Sequence, residues 1–480
     1  MNKRAIVYVL GAVLLIGAAL MLPPLLVALI YHEVSGWYFL WVMLGAAVLG
    51  ALALRLGGGK RAVMYAKEGL IAVALSWIVL SLVGALPFTL SGQIPFYLDA
   101  VFEMISGFTT TGSSILPAVE ELDKCMLFWR SFTHWIGGMG VLVFLLTLIP
   151  LAGGSHMNLM KAESPGPSVT RLVPKVKSTA KILYMIYMVL TIIEIFLLLF
   201  GGMPLFDSIT LSLGTAGTGG FGIKNDSIAG YSTYCQVIIT IFMILFGINF
   251  NAYFLILIRK FRQAWESEEV RAYLLIIAAA TLAITFNVRG YFSSFAQAFQ
   301  QTIFQVASII TTTGYATTNF DLWPEFSRTI LVLLMFVGAC AGSTGGGIKV
   351  SRILILLKTV KKELIQLLHP RSVRRIQIDG KAIEHEVVRS TNVYMGVYIF
   401  IFAFSMLLIA LNNFDLITNF TAVAATLNNI GPGLSLVGPS GNFSMFSDFS
   451  KLVLIFDMLA GRLELFPLLL LFVPNTWRRF

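Results

Sequence analysis

Four short stretches of this sequence carry a pattern that can do chemistry without a reactive side chain. Each runs from an apolar, helix-like segment into small polar residues and then a glycine. Residues 99–112 and 304–314 close on Thr-Thr-Thr-Gly, 207–219 on Ala-Gly-Thr-Gly, and 420–431 on Asn-Asn-Ile-Gly. Glycine at a fixed place admits positive φ, which lets successive carbonyls turn to one side. Four strands of inward carbonyls can replace the hydration shell of a stripped alkali cation. The positions predicted to coordinate are Thr110, Thr111 and Gly112; Gly217, Thr218 and Gly219; Thr312, Thr313 and Gly314; and Asn429, Ile430 and Gly431. Thr and Gly also serve as close-packing residues in membrane helices, and any one of these stretches alone reads that way. Recurrence about every hundred residues favours a shared site over packing. Asp99 and Asp207, near two helix starts, could cap those helices or draw cations to a mouth.

The elements that must position these stretches follow from composition. The chain has 480 residues, 57% hydrophobic and 12% charged, with a net charge of +10. A soluble domain carries about 25% charged residues, so a soluble reading fails, and so does disorder. A bilayer core needs about 20 apolar residues per helix, and ten such spans are predicted, at 6–31, 37–54, 70–90, 128–151, 182–200, 237–258, 273–286, 329–357, 394–411 and 452–473. The first follows Lys3 and Arg4 but is longer than the apolar part of a secretion signal, and a second span follows it directly. With the N-terminus inside, 27 of the 34 Lys and Arg fall on the cytoplasmic side, counting Arg478 and Arg479 at the end. That satisfies the positive-inside rule, so the basic balance reads as topology and not as nucleic-acid binding.

Two spans separate each glycine stretch from the next, so all four lie on the same, outer face. The repeats are therefore parallel, unlike the inverted repeats of many secondary transporters. The expected fold is an all-α polytopic membrane protein: four parallel helix–pore-loop–helix repeats with pseudo-fourfold symmetry around one pore, plus two extra N-terminal transmembrane helices. The units are 1–60 for the N-terminal pair, then repeats at 69–151, 178–260, 270–359 and 388–480, the third holding an intramembrane loop at 338–348. Non-helical backbone at membrane depth survives only where it is buried in protein or lines a watery cavity. Four such segments therefore imply a lined path. Three scattered cysteines (Cys125, Cys235, Cys340) and five histidines (His32, His134, His156, His369, His385) show no metal-ligand spacing.

A second irregular stretch, Gly342-Ser343-Thr344-Gly345-Gly346-Gly347, sits about 20 Å into an otherwise apolar helix, below the four glycines. Its likeness to a nucleotide-binding loop is superficial, because Ile348 stands where lysine is needed and Val350 follows Lys349. Broken backbone at that depth belongs beside the water path, so the loop is expected to block the pore and move aside on opening. Arg462 lies about 18 Å into the last span, where a charge is costly unless it faces protein or water. It reads as a positive barrier beside the path; the alternative is an ion pair with Glu194, Asp457 or Glu464. On the inner side, Lys361, Lys362, Arg371, Arg374 and Arg375 precede Asp379-Gly380, a hairpin signal between alternating residues. This region reads equally as a basic loop near anionic lipid or as a docking surface.

These residues resemble the Trk/Ktr/HKT superfamily of potassium transporters, and within it the bacterial TrkH/TrkG branch. Beside the four glycine stretches, the likeness rests on His134-Trp-Ile-Gly-Gly-Met-Gly140, Gly342-Ser-Thr-Gly-Gly-Gly-Ile-Lys349, Leu427-Asn-Asn-Ile-Gly-Pro-Gly433 and Gly461-Arg-Leu-Glu-Leu-Phe466. The two leading spans are similar to those of the TrkH branch. The resemblance implies potassium selectivity through glycine in all four segments, a homodimer of complete pores, and a gate of the glycine-rich loop with Arg462. It also implies a cytosolic TrkA-type partner that alone carries the nucleotide, with no covalent cofactor on this chain. The second segment, Gly-Thr-Ala-Gly-Thr-Gly-Gly-Phe, departs from the commoner Thr-Val-Ser-Thr-Gly-Gly-Phe form of that superfamily. The implied setting is the bacterial cytoplasmic membrane, with both termini inside.

The expected activity is potassium uptake through a gated, channel-like pore. One rival is symport coupled to protons or sodium, for which Glu194 is the one carboxylate deep in an early span. An intramembrane enzyme is the other, and it lacks a Ser/His, paired-Asp or zinc constellation at matching depth.

Overall fold

The computed structural model describes residues 2–57, 66–148, 176–372 and 374–477. His156, Arg478, Arg479 and the predicted boundaries at 60 and 151 lie outside the described residues. The chain opens with α1 (Lys3–Leu20) and α2 (Leu22–Tyr31), one 29-residue span that bends at Met21. Pro23 and Pro24 follow the bend, where the first turn of a helix has no intrahelical use for their missing N–H groups. α3 (Gly36–Leu56) returns beside them and presents Trp37, Trp41, Leu44, Val48 and Leu52 outward, an apolar face suited to lipid.

Four copies of one unit follow. The first is α4 (Ala66–Leu90), the short α5 (Tyr97–Phe108) and α6 (Lys124–Leu148). The second comprises α7 (Val176–Phe200), the short α8 (Leu205–Gly217), then α9 (Thr233–Phe246) and α10 (Phe250–Leu257), with α11 (Phe261–Trp265) leading out. The third is α12 (Glu268–Val288), the short α13 (Phe295–Ile310), then α14 (Glu325–Met335) and α15 (Val350–Leu368). A hairpin of β1 (Gln377–Ile378) and β2 (Lys381–Ala382) leads to the fourth: α16 (His385–Ile409), the short α17 (Leu416–Leu427), α18 (Asp448–Arg462) and α19 (Phe466–Leu469). The protein is an all-α polytopic membrane protein.

The short helix of each unit sits at the centre. The last nine residues of α5 and of α17, apart from Phe420 in the latter, are buried on every side, as expected of a helix that is core all round. One apolar cluster spans the N-terminal pair and all four units; a second centres on unit three and takes in residues of units two and four.

Among the described residues, six helices are long and apolar enough to cross a bilayer, and a seventh if α9 and α10 count as one span bent by 91°. The spans predicted as continuous at 237–258 and 452–473 are thus interrupted, and so is 329–357. In the second unit Asn249 restarts the helix, its side chain accepting from the Asn251 N–H at 2.9 Å. Residues 336–349 leave the helical path in the third. In the fourth, Glu464 and Leu465 adopt φ of 60° and 64°. The matching helix of the first unit, α6, runs through unbroken.

Candidate functional site

Each short helix ends in the same way. Its N–H groups at Thr110, Thr218, Thr312 and Asn429 bond carbonyls three residues back, at 3.1, 3.0, 3.0 and 3.2 Å. The next N–H in each bonds a carbonyl five back: Thr111 to Ser106, Gly219 to Gly214, Thr313 to Ser308 and Ile430 to Ala425, all between 2.8 and 2.9 Å. This is the Schellman end, which needs one left-handed residue. That residue is ordinarily glycine, yet here φ is 56° at Thr110, 53° at Thr218, 59° at Thr312 and 54° at Asn429. A β-branched residue there is costly and persists only where surroundings enforce it.

Two residues further on stand Gly112, Gly220, Gly314 and Gly431, with φ of 82°, 76°, 86° and 103°. The common ending fixes the register and shifts the second stretch by one residue. Gly217 is the last helical residue, the counterpart of Thr109, Thr311 and Asn428, and the triplet that matches the others is Thr218-Gly219-Gly220. Two consecutive glycines after Thr218 left the sequence no means of choosing between them.

The four glycines close a ring. A methyl group on Gly112 would lie 2.1 Å from the Gly219 carbonyl oxygen, on Gly220 1.8 Å from that of Thr313, on Gly314 2.1 Å from that of Ile430, and on Gly431 3.0 Å from that of Thr111. Unit one therefore abuts two, two abuts three, three abuts four, and four returns to one. Among the described residues, the carbonyl oxygens of Thr110, Thr111, Thr218, Gly219, Thr312, Thr313, Asn429 and Ile430 accept no hydrogen bond. All eight residues are buried. Buried carbonyls are normally paired, so eight unpaired ones around a single ring make an acceptor-only cage suited to a cation. Thr110 Oγ1 and Asn429 Oδ1 are likewise buried without a partner. A cavity of about 200 Å³ borders all four glycines.

Side chains of the predicted set and others beyond it hold this ring. Thr109 and Thr111 hydroxyls meet at 2.8 Å, and those of Thr311 and Thr313 at 2.7 Å. Asn429 Nδ2 donates to Thr111 Oγ1 at 2.8 Å and to the Met458 carbonyl at 2.9 Å, tying the fourth unit to the first. His134 Nδ1 donates to the Gly107 carbonyl at 2.8 Å and Nε2 accepts from the Phe221 N–H at 3.2 Å, which makes it a neutral bridge between units one and two. A methyl on Gly219 would lie 2.1 Å from that ring, so glycine here makes room for His134. Glu103 and Arg130 form a fully buried ion pair at 2.7 Å. Glu103 also accepts from Ser114 Oγ and the Ile115 N–H, each at 3.0 Å, while Arg130 donates to the Gly222 carbonyl at 3.1 Å. The pair clamps the outgoing backbone of units one and two. One signal existed: Glu103 and Gln305 each stand seven residues before the left-handed threonine. Gln305 Nε2 donates to Thr317 Oγ1 at 3.1 Å, the same bracing role without charge.

Asp99 and Asp207 cap no helix through their side chains. Asp99 pairs with Lys451 at 2.5 Å, and Asp207 accepts from the Tyr231 hydroxyl at 2.9 Å.

The glycine-rich loop, 336–349, lies against the helix-end side of the ring. The Gly346 N–H donates to Thr312 Oγ1 at 2.6 Å, and methyls on Gly345 and Gly346 would lie 3.1 Å from the Thr311 carbonyl and 2.8 Å from that of Asn428. Gly342 and Gly347 adopt φ of 72° and 66°, and Ser343 Oγ turns back on the Cys340 carbonyl at 2.7 Å. The buried Lys349 ammonium donates to the Gly345 and Gly346 carbonyls. The loop fits the break between α9 and α10, with Cys340 N–H on the Gly247 carbonyl and Phe250 N–H on that of Gly342, both at 3.0 Å. Thr344 Oγ1 reaches the Phe246 carbonyl at 3.3 Å. Arg462 donates to the Thr344 carbonyl at 3.0 Å and to the Gly137 carbonyl at 2.6 Å. Among the described residues it makes no ion pair: Glu464 is paired with Arg352, and Asp457 accepts from Ser405 Oγ at 2.7 Å. The ion-pair alternative for Arg462 is therefore not the arrangement found. Glu194 is fully buried, and among the described residues neither of its oxygens has a hydrogen-bond partner.

The expected turn at Asp379-Gly380 is present, with φ of 50° and 73° between β1 and β2. Both residues are exposed.

Four equivalent re-entrant helices closing one carbonyl ring inside a helical bundle define a multi-pass membrane protein with a single central path. Residues 46–479 match the TrkH family, described as a cation transport protein, and the chain belongs to it. It is 37% identical over 487 positions, covering all of both chains, to the Trk system potassium uptake protein TrkH of Salmonella typhimurium. It is 32% identical to the Trk system potassium uptake protein TrkG of Escherichia coli K12, covering 99% of each. The crystal structure of the potassium transporter TrkH from Vibrio parahaemolyticus matches it over the full length of both chains, with a TM-score of 0.89 at 35% identity.

Proposed function

We propose that this protein takes up potassium across the bacterial cytoplasmic membrane through a gated, channel-like pore, with both termini in the cytosol. The ring of eight buried, unpaired carbonyls, two from each unit, carries this reading. It offers acceptors and no donors, and so suits a dehydrated monovalent cation. Its coordinating positions are Thr110, Thr111 and Gly112; Thr218, Gly219 and Gly220; Thr312, Thr313 and Gly314; and Asn429, Ile430 and Gly431. The loop of Gly342, Ser343, Thr344, Gly345, Gly346 and Gly347, latched by Arg462, is the gate. Its closeness to Thr311, Thr312 and Asn428 supports that role. A membrane potential of about 100 mV, negative inside, gives about 2.3 kcal/mol per charge, or about fifty-fold accumulation without a coupled solute. The likeness to Trk relatives supports assembly as a homodimer and regulation by a cytosolic TrkA-type subunit that binds the nucleotide. The basic residues near the hairpin suit that subunit or anionic lipid.

Ion-replacement flux in vesicles holding only this chain tests the reading. Potassium and rubidium should pass while sodium and lithium do not; equal passage of all four ends it.

One observation favours a second reading, symport with protons: the buried carboxyl of Glu194, with no hydrogen-bond partner on either oxygen among the described residues. A reversal potential that tracks the proton gradient, and loses that dependence in Glu194→Gln, would replace the channel reading.

A further inference from the structure

The hairpin and the intramembrane loop are far apart in function but meet at the first turn of α12. There, two consecutive glutamates bind different partners. Glu268 is bound to the hairpin: its N–H donates to Asp379 Oδ1 at 2.7 Å, and its Oε1 accepts from the Asp379 N–H at 3.2 Å. Its other oxygen pairs with Lys358, whose ammonium also reaches the Gln377 carbonyl at 2.7 Å. Glu269 is 7% exposed and bound to the loop. A single oxygen, Oε1, accepts from the Ala341 N–H at 2.7 Å and the Ser351 N–H at 3.0 Å. Those two donors flank the glycine-rich run 342–347, so Glu269 staples the two sides of that run together.

Consecutive helical residues point about 100° apart on a rigid turn. A displacement of the hairpin that drags Glu268 must therefore carry Glu269 with it and strain both bonds of the staple. A charged acceptor serving two N–H groups is strong while its geometry holds, and its loss leaves two buried donors unpaired. The hairpin end of this chain is open to the aqueous side, with Arg374, Arg375, Asp379, Gly380 and Lys381 all exposed.

We infer that Glu268 and Glu269 are positioning residues that link the cytosolic hairpin to the intramembrane loop, so that the place of the hairpin sets whether the loop is closed. The consequence for flux rests on the loop being the gate; the linkage itself does not.

Hydrogen exchange of the full-length protein in detergent, read on the amides of 337–349, tests the linkage, with rubidium flux in vesicles measured beside it. Glu268→Ala removes the side-chain bonds to the Asp379 N–H and to Lys358, leaves the backbone bond to Asp379, and touches no loop residue. It should raise exchange across the loop about tenfold, the equivalent of one lost charged hydrogen bond. Lys358→Ala breaks the second bridge to the hairpin, from Glu268 through Lys358 to the Gln377 carbonyl, leaves α12 unaltered and should act alike. Glu269→Ala should raise exchange at least as much, and Glu268→Ala/Glu269→Ala no further, because the path runs through Glu269. Unchanged exchange of the α13 amides 304–310 certifies the fold. Loop exchange within about twofold of the parent in both Glu268→Ala and Lys358→Ala, or additive effects in the double variant, overturns the linkage whatever the flux. Faster exchange with unaltered flux upholds the linkage and removes the loop as the gate.

Discussion

The single left-handed residue at each helix end is where sequence and geometry disagree most, and it makes the register testable. Gly219 and Gly220 are adjacent, yet a side chain would meet different atoms at each. On Gly220 a methyl strikes the Thr313 carbonyl, backbone that cannot move without opening the ring. On Gly219 it strikes the His134 ring, which can be removed. Gly220→Ala should therefore abolish selective rubidium flux, and His134→Ala should not restore it. Gly219→Ala should be damaging alone and partly recovered by His134→Ala, read as the rubidium-to-sodium flux ratio. Rescue at Gly220 instead would return the register to the one read from sequence. The buried Glu103–Arg130 pair gives a second prediction. Arg130→Met leaves a carboxylate uncompensated and should destabilise the protein by about 3–5 kcal/mol, whereas Glu103→Gln/Arg130→Met should cost clearly less. Thermal unfolding in detergent measures both.

At the scale of elements, what the sequence made legible was whatever a local pattern encodes. The four central helices are visible because an apolar run meets Thr, Asn and Gly at its end, and the hairpin because Asp379-Gly380 supplies two residues able to take positive φ. The breaks in the second and fourth units were hidden. The break at Gly247 and Asn249 has no proline, and it exists because Cys340 and Gly342, almost a hundred residues away, use the backbone groups it frees. The roles of His134 and Arg130 were hidden for the same reason, since their partners belong to another unit. Capping, by contrast, is local, and α17 is capped by Asp415, which accepts from the Thr418 N–H at 3.0 Å and its hydroxyl at 2.5 Å. The Thr418 hydroxyl, first, and the N–H hold this carboxyl below the usual aspartate range. Its lowered folded value means that the cap contributes fully above the unfolded value of about 3.9 and fades as pH falls through the folded one. Asp415→Ala should cost about 1 kcal/mol at neutral pH. The gap in melting temperature between parent and variant should close on acidification below about pH 4; a constant gap would assign the effect to packing.

Across the whole molecule, the ring and the loop share few atoms, and that separation predicts how mutations sort. The ring is closed by contacts among the four units themselves, and no bond in it involves Arg462. The loop is held from three directions: by Glu269 on both sides of the glycine-rich run, by Thr312 and the Phe246 carbonyl above and beside it, and by Arg462, which spans from Thr344 to Gly137. If the loop is the gate proposed above, removing Arg462 deletes two charge-assisted bonds that hold it in its present place, so the balance moves toward the open arrangement without altering what the ring coordinates. Arg462→Ala should raise rubidium flux about tenfold, the shift expected from one to two lost bonds. The rubidium-to-sodium ratio should stay at the parent's value. Thr312→Ala removes the acceptor for the Gly346 N–H while standing in the ring itself, so it alone should change both quantities. Flux in Arg462→Ala equal to the parent's, or a fall in its selectivity, would show that latch and filter are one structure and that charge beside the path, not a held loop, limits permeation.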